Sequence, residues 1–234
     1  MRTDTMTTNP GSRRRFLSRV AALPLLALLP GPAATQAGRR YRIELVVFEQ
    51  LGPESRAFMD AVARPLSPDL SGFGVGEGPI RPSVDGFELD NVATRIERSG
   101  QGRVLSRLAW DQLGRGYQSA PWIRVQEGRY LGFRSPGEEA GENGGTPANA
   151  PGLRPLSTTD ERYELEGRLR VWVGRFLHLE TDLIFHATQA VTIDPDAFPA
   201  VPVRGSQRMN SGEDLFYLDH PAVGIIARVT RIDG

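Results

Sequence analysis

Tyr41, Ile43, Leu45 and Val47 are apolar and alternate with Arg42, Glu44, Val46 and Phe48. Such a period of two, rich in β-branched and aromatic residues, predicts a strand over Tyr41 to Gln50 with one clearly buried face. After Gly52 and Pro53, the positions Ala57, Phe58, Ala61 and Val62 share a face at helical spacing, which predicts a short helix from Glu54 to Ala63 that Pro65 ends. The stretch 65–86 is crowded with Gly and Pro and keeps no period, so an irregular loop is expected there. Leu89, Val92, Ala93 and Ile96 recur at i, i+3, i+4 and i+7 and predict a second helix, closed by Gly100 and Gly102. Beyond it, Val104 to Asp111 fits either a helix or a strand, and Trp122 to Gln126 is a further short strand candidate.

The strongest pattern follows. Leu165, Leu169, Val171 and Val173 alternate with Glu164, Glu166, Arg168 and Arg170, and Gly174 suits a reversal. The return run places Leu177, Leu179, Leu183 and Phe185 on one side and Phe176, His178, Glu180, Asp182 and His186 on the other. A hairpin is therefore expected. Val201 to Met209 and Gly224 to Thr230 supply further strands, and no fixed repeat is visible. Sequential strands with about two helices predict an α+β fold with a largely antiparallel β-sheet in a single domain. Residues 135–155, with five Gly, four Pro and three Glu and almost no large apolar side chain, are expected to be a solvated loop inserted in that domain.

The first 37 residues have a different character. Arg2, Arg13, Arg14, Arg15 and Arg19 precede or enter an apolar run from Val20 to Leu29, followed by Pro30, Gly31 and the small residues Ala33, Ala34 and Ala37. This is the pattern of a secretory signal peptide, and ten apolar residues fall well short of the roughly 20 that span a bilayer. Ser12-Arg13-Arg14-Arg15-Phe16-Leu17-Ser18 resembles a twin-arginine motif, so export by that route is expected, with cleavage near Ala37. The remaining 38–234 would carry 23 arginines against 27 acidic residues, a net charge of about −4, which makes nucleic acid an unsuitable partner. No later apolar run reaches transmembrane length. All 28 basic residues are arginine and there is no cysteine. That composition excludes a catalytic or Schiff-base lysine, a phosphate-loop lysine, a thiol nucleophile and thiolate metal sites.

The opening YRIELVVFEQ, the central VLSRLAWDQ, the hairpin LEGRLRVWVGRFLHLETDL and the closing QRMNSGEDLFYLDHPAVGIIARVT occur in that order. Together they resemble the CsiV family of periplasmic peptidoglycan-binding proteins over Tyr41 to Thr230. The resemblance implies a non-enzymatic factor, without cofactors, that binds peptidoglycan in the periplasm. It further implies support of a class A penicillin-binding protein through an LpoA-type outer-membrane lipoprotein. Gln207-Arg208 stands where family members often carry two arginines, and Phe216 where they carry histidine.

Candidate site residues lie mostly on the hairpin. His178, Glu180 and Asp182 project from one strand face and offer an imidazole and two carboxylates to sugar hydroxyls or peptide amides, although alternation alone also produces such a solvated face. Trp172 and Phe176 flank the same hairpin and fit either a glycan platform or cross-strand packing. Arg208 suits a stem-peptide carboxylate, or equally Glu213 or Asp214. Asp219 and His220 form a candidate dyad, or a turn in which Asp219 bonds local backbone amides and Pro221 starts the last strand.

A metal site is not expected: His178 and His186, eight residues apart along one strand, would lie about 27 Å apart. No G-x-S-x-G is present, and Glu164 and Glu166 are expected to be exposed with ordinary acidities. The alternatives to a wall-binding protein are a periplasmic hydrolase of peptidoglycan and an envelope scaffold that contacts only proteins.

Overall fold

β1 (Arg40–Gln50) is the spine of a five-stranded antiparallel sheet, and its buried face extends further than alternation implies. The computed structural model describes residues 38–133, 161–186, 200–210 and 214–232; the expected signal peptide and the loop 135–155 lie outside them. Tyr41, Ile43, Leu45 and Val47 enter the main core as expected. On the opposite face Val46 packs against Leu89 and Ala93, so β1 is covered on both sides. The cover is α2 (Asp90–Ser99), whose apolar stripe is the one the sequence predicts. Glu44, buried on that face of β1, accepts the backbone N–H groups of Glu88 and Leu89 at 3.0 and 3.2 Å and so caps the start of α2.

α1 (Pro53–Val62) forms where expected but turns a different side inward. Ser55 and Met59 are buried and Phe58 and Ala63 are partly so, whereas Ala57, Ala61 and Val62 face solvent. In a single 10-residue helix with two small alanines, the large Phe58 and Met59 decide which face packs.

β2 is the two-residue strand Arg81–Pro82, the only regular strand in the Gly/Pro-rich stretch 65–86 among the described residues. β3 (Gly102–Leu113) resolves the helix-or-strand choice in favour of a strand, because it pairs with β1 from Arg40↔Leu113 to Gln50↔Gly102. β4 (Ile123–Phe133), β5 (Glu161–Val173), β6 (Leu177–His186) and β7 (Ala200–Met209) follow, and β5 and β6 are the expected hairpin. β8 (Phe216–Asp219) is a short strand that the sequence pattern does not signal, and β9 (Val223–Ile232) ends the described chain beside β1.

The fold is α+β and the pairing is antiparallel, but the strands form two sheets rather than one: β2-β3-β1-β9-β8 and β4-β5-β6-β7. Their inner faces share a single core, with Trp110, Tyr41 and Ile43 from one side and Ile123, Leu165, Leu169, Leu179 and Phe185 from the other. The loop 114–122 carries the chain from the first sheet to the second. It is tied to the hairpin, since the Val173 N–H donates to the Arg115 carbonyl at 2.8 Å. Beneath it, Gln112 donates to the Val171 carbonyl at 2.9 Å and accepts the Trp110 indole N–H at 2.8 Å. These bonds satisfy polar groups that would otherwise be orphaned between the sheets.

Candidate functional site

The outer face of the four-stranded sheet is a grid set by strand register. Arg168 lies opposite Asp182, Arg170 opposite Glu180 and Trp172 opposite His178; β7 continues the rows with Arg204, Ser206 and Arg208. Five of the eight sequence candidates, Trp172, His178, Glu180, Asp182 and Arg208, therefore share one face, and Phe176 joins them at the turn.

Their roles differ from those expected. Glu180 receives the Arg170 guanidinium at 2.7 Å, and Asp182 receives Arg204 at 2.7 Å with Arg168 at 3.8 Å. The carboxylates hold arginines in place rather than standing open to hydroxyls. Trp172 is not an open platform either: the His178 ring stacks on it with centroids 3.9 Å apart and planes 6° from parallel, and Tyr117 meets it edge-on at 5.3 Å. Burial, and next the positive charge of Arg208, push the His178 pKa down, so the stacked ring favours its neutral form.

Side chains that the sequence reading left out complete the face. The Arg168 and Arg170 guanidiniums each lie 4.3 Å from the ring centre of Trp122, and Arg170 is also 4.1 Å from that of Tyr117. Arg168 and Arg170 follow from the same alternation that selected Trp172, whereas Trp122 and Tyr117 reach the face through tertiary pairing. Trp122, Asp182, Arg204 and Ser206 border a shallow depression of about 410 Å³.

At the hairpin end the charge balance changes. The guanidinium of Arg208 lies 4.3 Å from the ring centre of Phe176, and that of Arg175 lies 5.5 Å from it. Both arginines are exposed, and neither forms an ion pair among the described residues; Glu213 lies outside them. Two cations thus flank one aromatic ring beside the Trp172–His178 stack.

Asp219 and His220 do not join this face. They belong to β8 and its turn in the other sheet. His220 Nδ1 accepts the Ala222 N–H at 3.3 Å, and the ring also bonds the Pro202 carbonyl. Asp219 accepts Tyr217 Oη–H at 2.9 Å and Gln50 Nε2–H at 3.0 Å. His220 and Pro221 do lie in a turn, but Asp219 meets side chains in place of the expected backbone amides, and the last strand starts at Val223 rather than at Pro221. The dyad does not form, because the His220 ring bonds Ala222 and Pro202 while Asp219 is held by Tyr217 and Gln50.

Glu164 and Glu166 correct a further expectation, since both are fully buried. Burial alone would raise the Glu164 pKa, but hydrogen bonds from Arg103 and Arg129 outweigh it and bring it to about 2. Arg103 also pairs with Glu49 at 2.7 Å, tying β1, β3 and β5 together. Glu166 lies 3.0 Å from His186 Nε2. No group of three or more metal-ligating side chains is found among the described residues, and no helix there is long and apolar enough to cross a membrane.

The model of the family described as peptidoglycan-binding protein, CsiV, matches residues 76–232. The matched span runs from before β2 to the end of β9 and includes the whole hairpin face; the opening strand lies outside it. No curated protein and no solved structure matches the chain.

Proposed function

The chain belongs to the CsiV family of peptidoglycan-binding proteins, and from that premise we propose that it holds the wall polymer at the hairpin end of the outer sheet face. The observation that carries this reading is the pair Arg175 and Arg208 around Phe176. Stem peptides present carboxylates, and a guanidinium recognises a carboxylate through two parallel hydrogen bonds. Most other arginines of the face already hold a carboxylate of the protein. Phe176 and the edge of the Trp172–His178 stack supply apolar surface for the peptide or sugar body.

On this reading the protein binds and performs no chemistry. The ion pairing of Glu164 supports it, since a carboxyl kept ionised down to about pH 2 is unsuited to serve as the general acid of glycan cleavage. The exported, periplasmic location and the support of a class A penicillin-binding protein through an LpoA-type lipoprotein belong to the same proposal. They rest on the leader pattern and the family resemblance.

Pull-down with purified sacculi tests the reading. The protein should co-sediment, and R175Q/R208Q should lose at least tenfold in affinity while staying folded. Full binding by that double variant would move the site elsewhere. Release of soluble muropeptides would favour a hydrolase, and failure of the wild type to sediment would favour a scaffold that contacts only proteins.

A further inference from the structure

A second basic cavity lies away from the hairpin grid, where the chain leaves β3. It encloses about 400 Å³, with Arg40, Arg81 and Arg115 at its rim and Pro79, Leu113 and Pro121 among its apolar walls. The three arginines come from β1, β2 and the loop 114–122, which are distant in sequence and gathered by the fold. All three are exposed, and none makes an ion pair among the described residues.

The one acidic wall residue does not cancel them. Asp111 faces Arg42, with Nε and Oδ1 3.7 Å apart, but Arg42 is shared with Asp85, so one carboxylate stands against three arginines and the wall keeps a net positive charge. Three positive charges therefore converge on a concave, partly apolar space, which is the arrangement that concentrates small anions.

The walls are held in shape. Ile80 donates to the Glu77 carbonyl at 3.1 Å, and Gly78, at φ +55°, lies against the Phe73 ring so closely that a Cβ there would come within 2.6 Å of it. The Pro79 wall is thereby fixed before any ligand arrives. On the other side, the Arg115 carbonyl is anchored by Val173. Beneath the cavity, the Gln112 side chain is locked between Trp110 and Val171.

We propose that this cavity is a binding site for a small carboxylate with an apolar body, such as a short peptide terminus, held by Arg81 and Arg115 with Arg40 and seated on Leu113, Pro79 and Pro121. It shares no lining residue with the Arg175–Arg208 pair, although the loop 114–122 also touches the hairpin through Val173, Trp172 and Arg170.

The test is an NMR titration of the full chain, following the arginine Nε–H signals and the Gln112 side-chain amide. N-acetyl-alanyl-alanine is the probe, its C-terminal amide and inorganic phosphate are the comparisons, and R81Q/R115Q is the variant. The dipeptide should give saturable shifts at Arg81, Arg115 and Gln112. The amide should bind at least tenfold more weakly, and R81Q/R115Q should lose at least tenfold in dipeptide affinity. Equal sacculus binding by R81Q/R115Q and wild type is expected, which separates this site from the wall-binding face. Three results would overturn the proposal: no saturable shift with the dipeptide, equal binding of dipeptide by R81Q/R115Q, or phosphate binding as tightly as the dipeptide. The last would show that charge alone, without the apolar walls, governs the cavity.

Discussion

His178 lies flat on Trp172, its ring centre 3.9 Å above the indole, so one face of the tryptophan is covered by the protein itself. Stacking of this kind fixes both rings and closes that face of the indole to a ligand. His178→Ala should uncover the indole: quenching of tryptophan fluorescence by acrylamide should rise, and sacculus affinity should fall less than twofold. A tenfold loss of binding in that variant would restore His178 as a direct ligand contact.

Asp182 makes the opposite case to a contact residue. Its carboxylate neutralises Arg204 and approaches Arg168, so its removal frees positive charge on the outer face. Asp182→Asn should leave sacculus binding unchanged or tighter at low salt, with the gain lost as salt rises. Weaker binding by Asp182→Asn at every salt concentration would mean that the carboxylate itself meets the wall polymer.

The hairpin face was readable because side-chain direction in a strand alternates strictly, and that places Trp172, His178, Glu180 and Asp182 together without any tertiary knowledge. The same arithmetic cannot say what a polar side chain meets across the sheet. Arg170 on Glu180 and Arg204 on Asp182 depend on the register between strands. Burial of Glu164 was hidden for the same reason: its partners Arg103 and Arg129 lie 61 and 35 residues away in the chain. Two sheets rather than one were also illegible, since alternation defines an inner face but not which other strands share it. The four-residue β8 fell below the length at which any period shows.

Glu164 is the centre of the ion-pair cluster with Arg103, Arg129 and Glu49, fully buried and held at about 2 by the two arginines. A fall from the ordinary value of 4.5 to about 2 corresponds to about 3 kcal/mol of stability, present above pH 4.5 and lost as pH drops toward 2. Glu164→Gln should therefore cost about 3 kcal/mol at pH 7 in urea unfolding and flatten the stability curve between pH 4.5 and 2. An unchanged acid limb would show that other carboxylates govern acid unfolding.

Gly167 sits within β5 at φ +124°, where a Cβ would lie 2.4 Å from the Asp182 carbonyl oxygen and 2.9 Å from the Leu183 Cα. Both obstacles are backbone, so neither can rotate away. Gly167→Ala should lower stability by more than about 3 kcal/mol, comparable to Leu179→Ala in the core at about 2–5 kcal/mol. Chemical denaturation measures both, and a near-neutral Gly167→Ala would mean that β6 can shift outward.

The turn after β8 sets the response to mild acid. Burial lowers the His220 pKa despite the neighbouring Asp219 and the bond to the Pro202 carbonyl, and burial with Arg208 lowers that of His178. Each folded pKa lies below the value of about 6.5 that an unfolded histidine takes. The unfolded chain therefore binds protons first as pH falls. The stabilising contribution is complete above pH 6.5 and declines as pH drops through the folded values. His220 is the more telling of the two, because protonating Nδ1 breaks the bond from the Ala222 N–H and places two hydrogens against each other. His220→Gln should be less stable than wild type at pH 7.5 yet lose less between pH 7.5 and 5. H178Q/H220Q should be flatter still. Unfolding curves at a series of pH values decide the matter: a slope in the double variant as steep as in the wild type would remove both histidines from the account.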